Sequence, residues 1–390
     1  MILKNLHIVG KDSDSMDIHI KGDTIVSIRN STDKDIFNDD IKLNFENCIA
    51  FPGLINSHDH LEYNLYPRLG HKIYRDYVEW GNDIHIKDKE LINSIESVPA
   101  ELRLQFGVIK NLICGVTFVA HHGSYNPGLN NSPVTIIRKG TCIHSVRLGG
   151  RWKYKINLPK SGEPYIIHTG EGTNTESSRE IDQLIRWNLF NRRLIGIHGI
   201  AMTEEQSKNF SAVIWCPDSN IFLFGKTADI ISLKKNTAIL FGTDSTLTAD
   251  GNIFENLRTA RKLNLLSDTE LFHSLTKTAA EVWGLNNCGR IEEGKITDIV
   301  IARQNSDNIY ESFYNTNPED ILLILKNGEV VLFDRTIKES LRGVMKHTKS
   351  FNEINIKGHI KYADYPVGEI IKKLKALKTG TEIHLNDNFV

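Results

Sequence analysis

The sequence predicts an α/β protein: a (β/α)8 TIM-type barrel joined to a small β domain that both chain ends build. Three observations carry this. Across residues 51–284, short apolar runs alternate with stretches of helical periodicity, the pattern of repeated βα units. Residues 1–50 and 285–336 read instead as strands and hairpin turns. Several apolar runs of the middle region end in histidine or aspartate, and in such a barrel the strand C-termini converge on one mouth.

A chain of 390 residues holds one large barrel and a small second domain. The formal net charge of −1 gives no reason to expect nucleic acid or an acidic surface as partner. Met1 to Leu6 is too short an apolar run for a secretory leader, and no stretch approaches the roughly 20 apolar residues of a transmembrane helix. The five cysteines, Cys48, Cys114, Cys142, Cys216 and Cys288, are scattered and form no Cys-x-x-Cys pair. Reduced thiols in a cytoplasmic protein are expected, with neither a disulfide framework nor a thiolate metal site.

In chain order, Leu3 to Val9 alternates as a strand, and Ile18 to Ile20 and Thr24 to Ile28 form a hairpin around Lys21-Gly22-Asp23. Ile49-Ala50-Phe51 leads through Pro52-Gly53 into His58-Asp59-His60. Tyr66 to Asp88 reads as a loop or lid, and Leu91 to Leu112 as one helix. Strands are expected at Gly115 to Ala120, which runs into His121-His122, at Val134 to Ile137 and at Thr141 to Val146. Tyr165 to His168, Leu194 to His198, Ala212 to Trp215 and Ala238 to Asp244 continue the series, with a helix over Glu180 to Leu189. Ile253 to Leu263 and Asp268 to Trp283 are helical. Strands return at Gly289 to Ile291, Asp298 to Ala302 and Ile324 to Phe333. Residues 337–390 form a C-terminal extension, in which Ile370 to Lys375 is a basic amphipathic piece, expected as a solvated surface helix.

The chemistry-bearing residues are the strand-end ones. His58 and His60 stand two apart, and on a strand i and i+2 share a face, so both could grip one ion. His168, His198 and Asp244 each close a later strand. Imidazoles with a carboxylate suit a divalent transition metal such as zinc or iron, which makes a water-derived nucleophile available at neutral pH. Alone, each has an ordinary reading, as a core histidine or a turn aspartate; their common place at strand ends is the signal.

These residues resemble the amidohydrolase superfamily, in particular its branch of cytosine and guanine deaminases and triazine hydrolases. Pro52-Gly53-Leu54-Ile55-Asn56-Ser57-His58-Asp59-His60 is similar to the first-strand motif, His168-Thr169-Gly170-Glu171 to the His-x-x-Glu of strand five, and Ile197-His198-Gly199 to strand six. Cys216-Pro217-Asp218-Ser219-Asn220 resembles the strand-seven run, Gly242-Thr243-Asp244-Ser245 strand eight, and the segment from Gly289 to Val300 the returning β-sandwich. The likeness spans residues 1 to about 335, with six motifs in the family's order.

The resemblance implies that His58, His60, His168 and Asp244 hold one divalent metal ion, zinc foremost and iron as the alternative. Catalytic roles fall to Glu171, which shuttles a proton to the leaving nitrogen, to His198, which binds the nucleophile or the substrate, and to Asp244, which aims the nucleophile. It implies a β-sandwich of residues 1–50 and 285–336, a hydrolase barrel of residues 51–284 and an extension of residues 337–390. Two departures stand out. Few residues separate Gly115 from His168, so the barrel is expected to be irregular around strands three and four. No metal-bridging lysine appears; Lys160 sits in a Pro-Lys-Ser-Gly turn, which points to one ion and not two.

The expected activity is metal-dependent hydrolysis of a carbon–nitrogen bond, as an aminohydrolase (deaminase) of a small nitrogen-rich cyclic compound. The alternative opens the ring of a cyclic amide or amidine. A non-catalytic scaffold is a poorer reading, since a scaffold has no need of Glu171. Substrate contacts are expected from His121, His122, Arg147 and Trp152, with Glu62, His144 and Arg151 as further candidates. The partner is a small molecule, with no nucleic acid or membrane, and a homo-oligomer is compatible. The His-x-Glu with Pro-Cys-x-x-Cys of compact cytidine deaminases and the His-Glu-x-x-His of metalloproteases do not occur.

Overall fold

A computed structural model describes residues 1–11, 14–33, 41–124, 126–158, 162–345 and 350–377. Lys160 and residues 378–390 of the extension lie outside them.

The chain opens with β1 (Ile2–Ile8), β2 (Met16–Lys21), β3 (Thr24–Asn30) and the long β4 (Lys42–Pro52). Gly53 passes β4 directly into β5 (Leu54–Asp59); a Cβ at Gly53 would collide with the Thr117 side chain, so only glycine permits this approach. There follow β6 (Val116–His121), β7 (Thr135–Ile136), β8 (Thr141–Ser145), β9 (Tyr165–Thr169), β10 (Leu194–His198), β11 (Ala212–Trp215) and β12 (Ala238–Phe241). All their pairings are parallel, in the orders β5-β6-β7 and β8-β9-β10-β11-β12. Beyond β12 the chain bonds back to β5: Thr243 N and Asp244 N donate to His58 O at 3.0 Å, and His60 N donates to Asp244 O at 2.9 Å. Among the described residues no ladder joins β7 to β8, and β7 is only two residues long. In the short sequence between β6 and β9, β8 keeps full length and only β7 is curtailed. The remaining strands read as continuous apolar runs because they are buried on both faces, as parallel strands are.

The last strands are β13 (Ile299–Arg303), β14 (Ile321–Lys326), β15 (Glu329–Asp334), β16 (Asn352–Ile356) and β17 (His359–Ala363). With β1 to β4 they form one nine-stranded sheet, β16-β17-β15-β14-β13-β4-β1-β2-β3. The two chain ends meet where β13 pairs antiparallel with β4, from Ile299 opposite Pro52 to Arg303 opposite Cys48. Leu3, Leu6, Ile18 and Ile25 share a core with Ile299, Ile301, Leu323 and Leu325. Burying each such side chain contributes about 1.5–3 kcal/mol. β16 and β17 come from the extension, which carried no assigned element there; their alternate residues are polar, as suits the rim of a sheet.

Three helical expectations are corrected. The segment read as a loop from Tyr66 to Asp88 contains α1 (Tyr77–Lys87). Its cap was legible: the Asp76 carboxylate accepts from Val78 N and Glu79 N. The single helix over Leu91 to Leu112 is two, α2 (Lys89–Glu96) and α3 (Ala100–Ile113), because Pro99 has no N–H and its ring disfavours helix at the residue before it. Asp268 to Trp283 likewise divides into Asp268–Ser274 and Lys277–Trp283. Then come α4 (Trp152–Ile156) and α5 (Thr175–Trp187). Asn174 caps α5, which buries Ser177, Ile181 and Leu184 along one face. The helix Val367–Ala376 buries Val367, Ile370 and Leu374 and turns its lysines outward. Among the described residues no helix is long and apolar enough to cross a membrane.

Lys361 on β17 is fully buried, and its Nζ donates to Glu319 O at 3.0 Å, to Ile321 O and to Asp334 at 3.1 Å. Asp334→Ala leaves that ammonium without a counter-charge. The expected loss is about 3–5 kcal/mol in urea unfolding; a loss under ~1 kcal/mol would show that β17 is not anchored this way.

Candidate active site

The ends of β5, β9, β10 and β12 bring the expected residues together. His58, buried, lies near the end of β5, and His60, half-buried, directly follows it. His168 comes from β9, and the Nε2 atoms of His60 and His168 lie 3.3 Å apart. Asp244 follows β12 and sets Oδ1 3.4 Å from His58 Nε2 and 3.7 Å from His60 Nε2. Gly242 permits this: a Cβ there would come within 2.7 Å of His58 Cβ. Asp244 and His198 both have left-handed backbone, at φ +62° and +69°, strain that packed surroundings must hold.

These residues suit a metal ion. His168 Nδ1 donates to His144 O at 2.8 Å, so its Nε2 turns a lone pair to the cluster. Asp244 Oδ2 accepts from Ser219 Oγ and Thr248 Oγ1, each at 2.8 Å, which leaves Oδ1 free towards the histidines. His58 Nε2 is buried with no hydrogen-bond partner. Burial, then the neighbouring imidazoles, hold His60 and His168 well below the usual histidine range. A neutral imidazole lone pair beside an ionised carboxylate oxygen is the donor set of a divalent transition ion. His58, His60 and His168 are the group able to share one ion among the described residues.

Glu171 lies two residues beyond β9 and is buried, with Oε1 3.7 Å from His198 Nε2. Burial first, then the charges of Asp244 and Glu180, push its pKa well up, against the pull of Arg147. His198 Nδ1 donates to Asn220 Oδ1 at 2.8 Å, so its Nε2 is the acceptor facing Glu171. Burial lowers His198 to about 4. The run from Cys216 to Asn220 is thus a support layer: Ser219 orients Asp244, Asn220 orients His198, and Asp218 Oδ2 accepts from Asp250 N at 2.7 Å.

The cluster opens into a cleft of about 410 Å³, walled by Tyr63, Tyr66, Tyr77, Trp80, Ile84 and Leu247. His122 reaches it; both its ring nitrogens are buried without partners, and its ring centroid is 4.5 Å from that of His168. Glu62 and His144 also line it. His121 does not: its Nδ1 accepts from Leu61 N at 3.3 Å, and it lines a second cavity, which His122 also borders.

Besides His121, two further expected substrate contacts lie off the cleft. Trp152 packs into the hydrophobic core on α4, drawn there by its apolar area. Arg147 lines no part of the cleft; its guanidinium is held by two buried carboxylates, through Nη1 to Asp76 Oδ2 at 3.0 Å and Nε to Glu180 Oε2 at 3.2 Å. Arg151, at a left-handed φ of +59°, is exposed and also lies off the cleft. The Arg147 network joins the cleft wall to the Glu171 loop. Asp76 caps α1, Glu180 Oε1 accepts from Gly170 N at 3.0 Å, and Tyr77 N donates to Glu171 O at 3.2 Å. Reading the sequence also missed Asp59, Lys110 and Asn111. Asp59 and Lys110 pair at 2.9 Å in full burial beneath the two histidines. Their one signal was a lysine on the apolar face of a buried helix.

The amidohydrolase family model matches residues 158–331. A 5-methylthioadenosine/S-adenosylhomocysteine deaminase of Caldicellulosiruptor saccharolyticus is 23% identical over 385 residues, covering 80% of this chain and 87% of the relative. Among solved structures, an adenosine deaminase from Xanthomonas campestris with bound zinc superposes with a TM-score of 0.65 at 15% identity, covering 84% of this chain and 92% of that one. Atrazine chlorohydrolase of Arthrobacter aurescens TC1, complexed with zinc, gives 0.64 at 16%, covering 96% and 99%. The resemblance drawn from the strand-end motifs is borne out, and these structures share the fold.

Arg147→Met leaves Asp76 and the buried Glu180 without a cation. It is expected to cost about 3–5 kcal/mol of stability and to speed amide hydrogen exchange across residues 77–87. Exchange in α1 equal to the native protein's would show that the network does not hold the cleft wall.

Proposed function

We propose that this chain, which carries the amidohydrolase motifs and fold, is an aminohydrolase that removes the exocyclic amine of an adenine nucleoside or a similar nitrogen-rich ring compound. Its class is that of a hydrolase acting on carbon–nitrogen bonds other than peptide bonds. The observation that carries the reading is the placement of Glu171: a buried carboxyl beside His198, within the same cleft as the His58, His60, His168 and Asp244 cluster. The names of the deaminase relatives support the choice of ring.

His58, His60, His168 and Asp244 would hold one zinc ion. When bound, the ion would acidify water to a pKa of about 7 and so supply the nucleophile at neutral pH. Asp244 Oδ1 would accept a hydrogen bond from that water and orient it. His198, with its proton on Nδ1, offers Nε2 as an acceptor on the other side of the site, 3.7 Å from Glu171 Oε1. Glu171 takes the proton released as the ring carbon is attacked and delivers it to the amine, which leaves as ammonia. Burial, which raises its pKa, favours a carboxyl that can hold the proton between the two steps. The aromatic wall of Tyr63, Tyr66 and Trp80 packs the flat ring and excludes water.

We read the eight parallel strands as a (β/α)8 barrel left open at the β7–β8 seam. Residues 51–284 are its domain, and residues 1–50 and 285–336 are the β-sandwich, to which β16 and β17 of the extension add. A single ion fits best, because Lys110, the buried lysine beneath the site, is committed to Asp59. Five free cysteines, four of them buried, fit a reducing cytoplasm.

Glu171→Gln is expected to keep one ion per chain and to lose about 10²–10⁴-fold in turnover, read as ammonia released from adenosine-type substrates. His168→Ala is expected to lose the ion, read by elemental analysis. Near-native ammonia release by Glu171→Gln would remove Glu171 from the mechanism, and a product gaining one water without ammonia would indicate ring opening.

A further inference from the structure

The charges around the cleft bear on which substrates it takes. Four carboxyl groups line it: Glu171 and Asp244 at the cluster, and Glu62 and the exposed Glu96 farther out. Among the described residues, no lysine or arginine lines it. Basic side chains on the surrounding elements are turned to acceptors of the protein itself. Arg68 pairs with Asp218 at 2.5 Å, and Arg103 Nε donates to Val98 O at 3.2 Å. Lys110 pairs with Asp59, and Arg147 with Asp76 and Glu180.

Glu62 is the informative member. It sits in the turn Leu61–Tyr63 directly after His60 and lines the cleft. Its Oε2 is buried with no hydrogen-bond partner. The histidine nitrogen 3.6 Å away, His121 Nδ1, accepts from Leu61 N and so is not a donor to it. A hydroxyl or amine on the substrate would supply the missing donor. A phosphate or carboxylate in its place would face the like charge of Glu62, with no lysine or arginine among the described lining residues to offset it. Among the walls, Tyr63, Tyr66, Ile84 and Leu247 suit an uncharged body.

We infer that the cleft selects neutral or cationic substrates over anionic ones, and that Glu62 is a specificity-determining residue that accepts hydrogen bonds from the substrate's hydroxyl or amino groups. The inference rests on the adenine-nucleoside reading above and narrows it to compounds whose tail bears no net negative charge.

Adenosine and adenosine 5′-monophosphate differ in the phosphate and share the ring. Calorimetric titration of each into zinc-loaded Glu171→Gln measures binding without turnover. Adenosine is expected to bind at least about tenfold more tightly, and adding Glu62→Gln, which keeps the side chain's shape, is expected to narrow that ratio several-fold. Equal or tighter binding of the monophosphate, a ratio unchanged by Glu62→Gln, or binding of neither compound overturns the inference. Ammonia release by the native enzyme tests the reaction separately. Adenosine bound with the expected selectivity but never deaminated would sink the aminohydrolase reading and leave the charge selection standing.

Discussion

The site's geometry depends on the buried ion pair between Asp59 and Lys110, 2.9 Å apart and shut off from solvent. Asp59 lies between the two histidines, so its side chain points to the opposite face. There its carboxylate accepts from Asn111 Nδ2 at 2.7 Å, Asn64 Nδ2 at 2.9 Å and Asn56 Nδ2 at 3.2 Å. Taking two charges out of water costs several kcal/mol per ion, and such a pair is tolerated only when its remaining lone pairs and protons are met. Here they are met, and by residues that matter to the site. Thr243 Oγ1 accepts from Lys110 Nζ at 3.3 Å and from Asn56 Nδ2 at 2.8 Å, while Thr243 N donates to Asn56 Oδ1. One polar knot thereby fastens β5, α3 and the residue before Asp244. Two elements from opposite ends of the strand series are locked in register, and His58, His60 and Asp244 face each other as a result.

That knot also marks where reading the sequence stopped. The metal-type residues were legible because each ends an apolar run, and strand ends are where a βα architecture gathers its chemistry. His58, His60, His168, His198, Glu171 and Asp244 do converge. What they rest on was not legible. Asp59 read as the spacer between two histidines, and Lys110 as a polar interruption of a helix, because the contact joining them spans 51 positions and follows no local period. Arg147 was misplaced for the same reason. A lone arginine after a strand looks like a substrate contact, and only the fold shows Asp76 and Glu180 arriving from two other segments to take it.

The secondary structure divides in the same way. Strands buried on both faces announce themselves as apolar runs, and Leu194–His198 and Ala212–Trp215 match their readings residue for residue. Errors fall where a local signal competed with a longer pattern. Pro99 divides what hydrophobic periodicity alone joins into one helix. Around α1 the aromatic and charged composition outweighed the cap at Asp76, though that carboxylate satisfies two helix N–H groups at 3.0 and 2.9 Å. β16 and β17 gave little signal because they are short and half polar; their ladders, the core residues Ile354, Ile356 and Ala363, and the buried Lys361 hold them.

The contrast between the two carboxyl groups of the cleft follows from these supports. Asp244 and Glu171 share one desolvated space, yet their surroundings drive them apart. Burial alone would raise both. At Asp244 the His58, His198 and His60 rings outweigh burial and hold it below the ordinary range, with Ser219 and Thr248 donating to Oδ2. At Glu171 burial is joined by the charges of Asp244 and Glu180, and the sole opposing cation, Arg147, is shared with two other carboxylates. An ionised carboxylate suited to an ion and a protonatable one suited to proton transfer thus arise from one residue chemistry in two environments. The ionised role depends on the facing histidines, with Ser219 and Thr248 fixing Oδ2, and the protonatable one on burial beside Glu180 and the Arg147 network.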